Sequence, residues 1–373
     1  METDRLGLYV HIPYCVRKCN YCDFCSLPNG SGDVPEEYVD ALCKEISSYI
    51  SSEKKTLDTV YFGGGTPSLL SSLQMERILD AITNTFDISS EAEITLEANP
   101  GTLDEGKVFT YKRLGFNRVS LGLQSIHEKE MKKLGRIHDY QEFLISFNLL
   151  RKAGFDNINV DLMYGIPHQT VESFTETLRT VVGIAPEHIS AYGLILEEGT
   201  PLFLEKDTLP IPSQDEECDM YDVCREILAQ AGYEHYEISN YAMPGKRSRH
   251  NMLYWNLCEY IGVGAAAHSY FCGKRYSNTD NVNEYVKSVL DNDLKRFESE
   301  VDPAFEYVML KLRLSDGFLL SEYEERFGRS FTDGKTDILE RFRKAELLTI
   351  SDGMLKLTER GFYLSNSILV EIL

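Results

Sequence analysis

Apolar residues along this chain alternate between two spacings. Short apolar runs read as strands at Leu6–Ile12, Thr59–Phe62, Glu93–Asn99, Asn117–Leu121, Asn157–Leu162 and His188–Tyr192. The segments between them carry apolar residues three or four apart, as in Tyr38, Leu42 and Ile46 after the helix-opening Pro35. The same spacing predicts helices over Ser71–Phe86, with Ser71 or Ser72 as cap, and over Thr102–Leu114, Tyr140–Ala153 and Val171–Ile184. A further helical region runs up to Arg136. Parallel strands need long right-handed crossovers, so six strand-then-helix units predict an α/β fold, a partial (β/α)6 barrel. Fewer strands than in a closed eight-stranded barrel leave a lateral opening for a large substrate.

The pattern changes after Gly199. A proline-rich loop leads to an amphipathic helix over Ser213–Gly232, and Tyr233–Ile238 reads as a strand. The stretch from Asn240 to Tyr270 is rich in glycine and aromatic residues and lacks a clean period, so it is expected to close the site or touch ligand rather than form regular structure. Short helices over Pro303–Leu314, Leu320–Phe327 and Thr336–Ala345 precede two short strands around the Ser351-Asp352-Gly353 turn, and a last helix follows. That order predicts a small winged-helix-like unit. The chain is therefore divided into a barrel over residues 1–200, an extension with a ligand-contacting segment over 201–300, and a helical, winged-helix-like unit over 301–373.

A formal net charge of -21 disfavours nucleic acid, whose phosphates need a basic surface, and gives no support for an anionic membrane. No apolar run approaches a membrane span, and Met-Glu-Thr-Asp-Arg-Leu-Gly lacks the layout of a signal peptide. A cytoplasmic location is expected. Nine cysteines in such a chain fit metal binding or reactive thiols better than a disulfide framework.

Four of these cysteines, at 15, 19, 22 and 25, crowd the loop that follows the first strand. Soft thiolates converging from one loop suit an iron–sulfur centre or zinc. Zinc sites favour paired C-x2-C hairpins with a second pair or histidines downstream, and no second pair follows here. Cys25 either offers a fourth thiolate or only sits nearby. Gly63-Gly64-Gly65-Thr66-Pro67 follows the second strand directly. Three glycines there leave the backbone open to a polar ligand, the alternative being a tight turn. Glu97, Gln124, Arg136 and Asp161 recur at or beyond strand C-terminal ends, where sites in this architecture are built. Taken singly, each also reads as a surface ion pair or a capped loop.

The spacing C-x3-C-x2-C of Cys15, Cys19 and Cys22 resembles that of radical S-adenosylmethionine (SAM) proteins. With Y-V-H-I-P-Y-C-V-R-K-C-N-Y-C-D-F, G-G-G-T-P-S, L-E-A-N-P-G, N-R-V-S-L-G-L-Q-S, D-L-M-Y-G-I-P-H-Q-T and H-N-M-L-Y-W, nearly the whole chain resembles the oxygen-independent coproporphyrinogen III oxidase group. The resemblance implies that Cys15, Cys19 and Cys22 hold a [4Fe-4S] cluster, with one iron left for SAM. It places Tyr9 and Tyr21 around the cluster and SAM, and Gly64, Gly65 and Thr66 on the methionine part. Glu97, Gln124, Arg136 and Asp161 match the group's other SAM contacts.

Within the group, true oxidases carry a longer N-terminal extension and a C-x-C ending, whereas this cysteine loop begins at Cys15 and ends in C-x-x-C. The short start and H-N-x-x-Y-W match the heme-chaperone branch. That match makes His250 a candidate heme ligand, Tyr254 and Trp255 flat faces for the porphyrin, and Lys246, Arg247 and Arg249 partners for propionates. A locally hydrogen-bonded loop histidine is the alternative for His250. The function implied is a heme chaperone; an oxidase of coproporphyrinogen III and a heme-modifying enzyme are the alternatives. Implied partners are heme or a porphyrinogen, acceptor hemoproteins including membrane-associated ones, a reductant such as flavodoxin or ferredoxin, and a second copy of the chain.

Overall fold

The computed structural model describes residues 5–30 and 32–373; the first four residues and Ser31, on which the leader and turn expectations partly rest, lie outside them. The strands expected from the apolar runs form as β1 (Leu6–Ile12), β2 (Thr56–Gly64), β3 (Asp87–Ala98), β4 (Arg118–Gln124), β5 (Ile158–Tyr164) and β6 (His188–Gly193). They pair in parallel in that order, Leu8 opposite Val60 and Val60 opposite Ile94. Helices α1 (Glu36–Ser47), α2 (Ser72–Thr85), α3 (Glu105–Arg113), α4 (Glu128–Leu134), α5 (Tyr140–Lys152) and α6 (Val171–Gly183) make the crossovers. Capping boxes at Ser71, Asp139 and Thr170 fix where α2, α5 and α6 begin.

Along these strands alternate residues have opposite fates. Val60, Phe62, Leu96, Val119, Leu121, Val160, Leu162 and Ile189 pack outward under the helices in the main apolar core. Tyr61, Glu97, Ser120, Gln124, Asn159, Asp161, Ser190 and Tyr192 face a central cavity. The barrel is apolar outside and polar within.

The segment expected to be irregular is in fact structured. After α7 (Gln214–Gln230), the strands β7 (Glu234–Glu237) and β8 (Asn240–Ala242) add to the β6 edge in antiparallel fashion. Then α8 (Arg249–Trp255) leads to β9 (Glu259–Val263), which pairs in parallel with β1, Leu6 opposite Glu259 and Val10 opposite Val263. The parallel part thus has seven strands rather than six. A meander of β10 (His268–Phe271), β11 (Lys274–Asn278) and β12 (Arg296–Ser299) extends it to a twelve-stranded sheet. The periodicity failed here because β9 is buried along most of its length and carries Gly262, whose absent side chain makes room for the His268 carbonyl; a Cβ would lie 2.1 Å from that oxygen.

Beyond residue 303, helices Pro303–Lys311, Leu320–Phe327 and Thr336–Lys344 and the hairpin Leu348–Ser351/Met354–Leu357 enclose a second core around Tyr307, Phe342 and Leu355. Phe318–Leu319 adds a third short strand, completing a winged-helix-like arrangement. Among the described residues, no helix is long and apolar enough to cross a membrane.

Candidate cluster and ligand site

The cysteine loop is fastened at both ends and in its middle. Leu27 and Asn29 N–H donate to the Pro13 and Cys15 carbonyls, closing the loop on its own start. His11 on β1 bridges Tyr9 OH (2.9 Å) and the Cys25 carbonyl (2.9 Å) through its two ring nitrogens. In the middle, Asn20 caps the C-terminus of α4, its N–H donating to Leu134 O (2.9 Å) and its amide to Lys133 O (3.0 Å). Gly135 makes that docking fit: its φ of 76° is left-handed, and a Cβ would stand 2.8 Å from the Asn20 amide.

So held, Cys15, Cys19 and Cys22 line one cavity of about 550 Å³ at the C-terminal ends of the strands. Thr66 Oγ1 lies 3.4 Å from Cys15 Sγ, and Arg136 Nη1 donates to Cys19 Sγ at 3.6 Å. Cys25 does not line it. Its thiol turns to the Asp280 carbonyl at 3.2 Å and faces a second cavity. All nine cysteines are free thiols, and among the described residues no three His, Cys, Asp or Glu side chains are placed to hold one metal ion. A zinc ion needs four donors converging on a point. A cluster instead takes one thiolate per iron, so three spread soft donors on one cavity fit a [4Fe-4S] group with an open position.

Gly64, Gly65 and Thr66 line the same cavity, and the two glycines also seat the cysteine loop. Gly64 has φ 112°, and a Cβ on it would strike the His11 ring at 2.5 Å; one on Gly65 would meet the Tyr14 and Ile12 carbonyls at 2.7 and 2.9 Å. Their N–H groups are already engaged, Gly64 with Glu97 Oε2 (3.0 Å) and Gly65 with Ile12 O (2.8 Å). Both glycines let the cysteine loop lie against β2.

The inward carboxylates are hydrogen-bonded. Glu97 accepts from Tyr61 OH (2.7 Å) and Gly64 N–H, and burial pushes its carboxyl up to about 7 despite those bonds. Asp161 accepts from Ser120 Oγ (3.0 Å) and Asn159 Nδ2 (2.7 Å), and burial raises it too. Arg136 gives Nη2 to Asn99 Oδ1 (2.7 Å) and Gly122 O (3.1 Å). Gln124 ends β4 with φ 69°, a left-handed turn that aims its amide inward. Gln124 Oε1 and Arg136 Nε are buried without a partner, which suits a polar ligand between them. Tyr21 lines the same cavity; Tyr9 does not, and stacks on Tyr61 at 6.1 Å on the wall of the second cavity.

The second cavity, about 370 Å³, is walled by Tyr9, His11, Cys25, Tyr254, Tyr260 and His268, and shares Phe24, Gly64 and Glu97 with the first. His250 is not on its surface. It sits on α8, whose first N–H groups are capped by Glu93 (Arg249 N–H 3.1 Å, His250 N–H 3.0 Å), and α8 plugs the lower end of the barrel. Nδ1 of His250 is 2.7 Å from Thr59 Oγ1 and Nε2 is 2.7 Å from Tyr254 OH. With the side chain 1% exposed and both nitrogens engaged, no lone pair is free for iron in this arrangement. The expectation of a ring open to heme is corrected in favour of a locally bonded histidine. The basic residues expected to meet propionates are likewise engaged: Lys246 with the Asp156 carbonyl (2.8 Å), Arg247 with Asp316 (2.8 Å), Arg249 with the Glu91 carbonyl. Trp255 lies under Arg313, 4.7 Å from its guanidinium, so of the two flat faces only Tyr254 reaches the second cavity.

Residues 9–181 match the Radical SAM superfamily, and residues 299–364 match the HemN C-terminal domain. The heme chaperone HemW of Lactococcus lactis subsp. lactis is 36% identical over 373 residues, covering 98% of this chain and 96% of its own. The HemW of Escherichia coli is 34% identical over 371 residues, covering 98% and 97%. The chain belongs to the HemW family. Its radical SAM membership implies a [4Fe-4S] cluster and SAM, the groups that the three thiols and the unfilled polar atoms accommodate. The solved coproporphyrinogen III oxidase (HemN) from Escherichia coli superposes with a TM-score of 0.86 at 22% identity, covering 99% of this chain and 90% of that one, which speaks to the fold alone.

Sequence reasoning missed Asn99, which links Thr66 (2.9 Å) to Arg136, and Arg118 on the barrel wall. Both stand inside motifs already singled out, and the period of two along β3 and β4 would have pointed each of them inward.

Proposed function

We propose that this chain is a heme chaperone: it binds heme and passes it to acceptor hemoproteins, with a [4Fe-4S] cluster and SAM beside the cargo. Identity of 33–36% to HemW proteins along 98% of the chain carries the reading. Cys15, Cys19 and Cys22 hold the cluster. Gln124, Arg136, Glu97 and Asp161 orient SAM, the carboxylates accepting from its ammonium or ribose hydroxyls. Tyr21 and Thr66 shape the wall where SAM meets the cluster. When bound, the cluster supplies one-electron reduction of the SAM sulfonium, a reductant such as flavodoxin or ferredoxin providing the electron. The second cavity, lined by Tyr254 and Tyr260 and joined to the first, offers aromatic surface for a porphyrin edge.

The test is anaerobic reconstitution of the cluster, then parallel incubation with heme and with coproporphyrinogen III, SAM and reductant. Stable heme binding, release to an apo-globin and no protoporphyrinogen are expected. Protoporphyrinogen formed with stoichiometric methionine and 5'-deoxyadenosine would replace the chaperone by the oxidase.

A further inference from the structure

Arg118 opens β4 and turns its guanidinium into the main cavity. The residue is 2% exposed, yet no hydrogen bond or ion pair reaches its side chain among the described residues, and its Nε is enclosed without an acceptor. Other sheltered arginines of the chain are paired: Arg136 with Asn99, Arg151 with Glu187, Arg225 with Glu359, Arg275 with Glu306. A guanidinium carries five donors in a planar fork matched to a carboxylate, and burying it unpaired is strongly unfavourable. The nearby carboxylates do not fill the fork. Glu97 bonds Tyr61 and Gly64, Asp161 bonds Asn159 and Ser120, and neither makes a hydrogen bond or ion pair with Arg118, on which both act only through space.

Position narrows the occupant. The cluster thiols and Gln124 stand at the C-terminal ends of the strands, whereas Arg118 starts its strand, about 20 Å along the backbone from Gln124 at roughly 3.3 Å per residue. Its side chain reaches part of the way up, close enough for its charge to act on Glu97 and Asp161, so a carboxylate carried on a short arm into the lower part of the cavity would meet it. A propionate is such an arm. In a chain with net charge -21, a dianionic cargo also needs a dedicated cation, and Lys246, Arg247 and Arg249 are committed elsewhere.

We propose that Arg118 is the carboxylate seat of this protein and takes a propionate of the heme cargo through its guanidinium fork. The inference rests on the heme-chaperone reading. The other carboxylate at hand, that of SAM, has the same chemistry, and the experiment separates the two.

The full-length, cluster-loaded chain and its Arg118→Gln and Arg118→Lys variants are titrated with heme and with heme dimethyl ester, whose propionates are esterified. SAM binding and thermal melting are measured in parallel. Arg118→Gln is expected to weaken heme binding at least tenfold, Arg118→Lys less, with the diester bound weakly and equally by all three. SAM affinity is expected to be unchanged, and Tm unchanged or higher, because the variant removes a buried unpaired charge. Lost SAM affinity with heme binding intact would move the guanidinium to SAM and overturn the proposal. So would a lowered Tm with all affinities reduced together, the mark of a structural role, or equal binding of heme and diester by the unaltered chain. Failure of the unaltered chain to bind heme would refute the cargo reading itself, whereas heme bound equally by the unaltered chain and Arg118→Gln would refute only the seat.

Discussion

Replacing His250 by alanine is expected to act first on the stability of the barrel. The ring joins Thr59 on β2 to Tyr254 on α8 by two bonds of 2.7 Å and lies stacked on Tyr61, centroids 5.0 Å apart. Two buried hydrogen bonds contribute about 1 kcal/mol each, and the aromatic contacts about another 1 kcal/mol. Leaving the two hydroxyls unpaired brings the expected loss to about 3–4 kcal/mol at pH 7.5. Burial, aided by the charge of Arg118, holds the imidazole down at about 3. The folded protein therefore excludes a proton that the unfolded chain accepts below its ordinary value of about 6.5. The contribution of His250 is complete above that value and falls by about 1.4 kcal/mol per pH unit below it, so at pH 5 the gap between parent and variant should narrow by about 2 kcal/mol. Denaturant titration followed by the fluorescence of Trp255, the only tryptophan, measures both quantities. A variant as stable as the parent at both pH values, yet deficient in heme binding, would refute this reasoning and show that the ring works as an iron ligand.

Cys15→Ser, Cys19→Ser and Cys22→Ser should each abolish cluster uptake, while Cys25→Ser keeps it, as iron and sulfide per chain after reconstitution will show. Gly65→Ala drives a methyl against the Ile12 and Tyr14 carbonyls, which belong to backbone and cannot rotate away; destabilisation of about 2–3 kcal/mol and reduced iron content are expected. Glu97→Gln removes a carboxyl raised to about 7. Because that group ionises as pH rises through 7, SAM affinity of the parent should increase between pH 6 and 8, and that of the variant should stay flat in equilibrium binding.

The elements legible in the sequence are those whose two faces differ. The strand–helix alternation up to His188–Gly193 was visible because one face of each strand meets helices and the other meets a polar interior. The cysteine loop was legible because thiol spacing is itself chemistry. Strand β9 was not, since burial along it erases the alternation and Gly262 interrupts it. The H-N-M-L-Y-W motif was legible as a motif but not in its orientation, which depends on Glu93 capping α8 and on Gly7, where a Cβ would meet Leu253 at 2.8 Å. Arg118 was not singled out in the sequence, since its lack of a partner among the described residues shows only in three dimensions.

The pairing of β1 with β9 bears on biosynthesis. The strand that carries the cysteine loop is walled on one side by β2, formed early, and on the other by residues 259–263. Contacts so distant along the chain close late in folding, and a nascent chain offers its N-terminal part first. Until the last third has been translated, β1 is a bare sheet edge and its thiols hang from it. A truncation before Glu259 would therefore leave the strand beneath the cysteine loop with an unpaired edge, even though the loop's own fastenings, Asn20 on α4, Thr66 and Arg136, all lie within the first 136 residues.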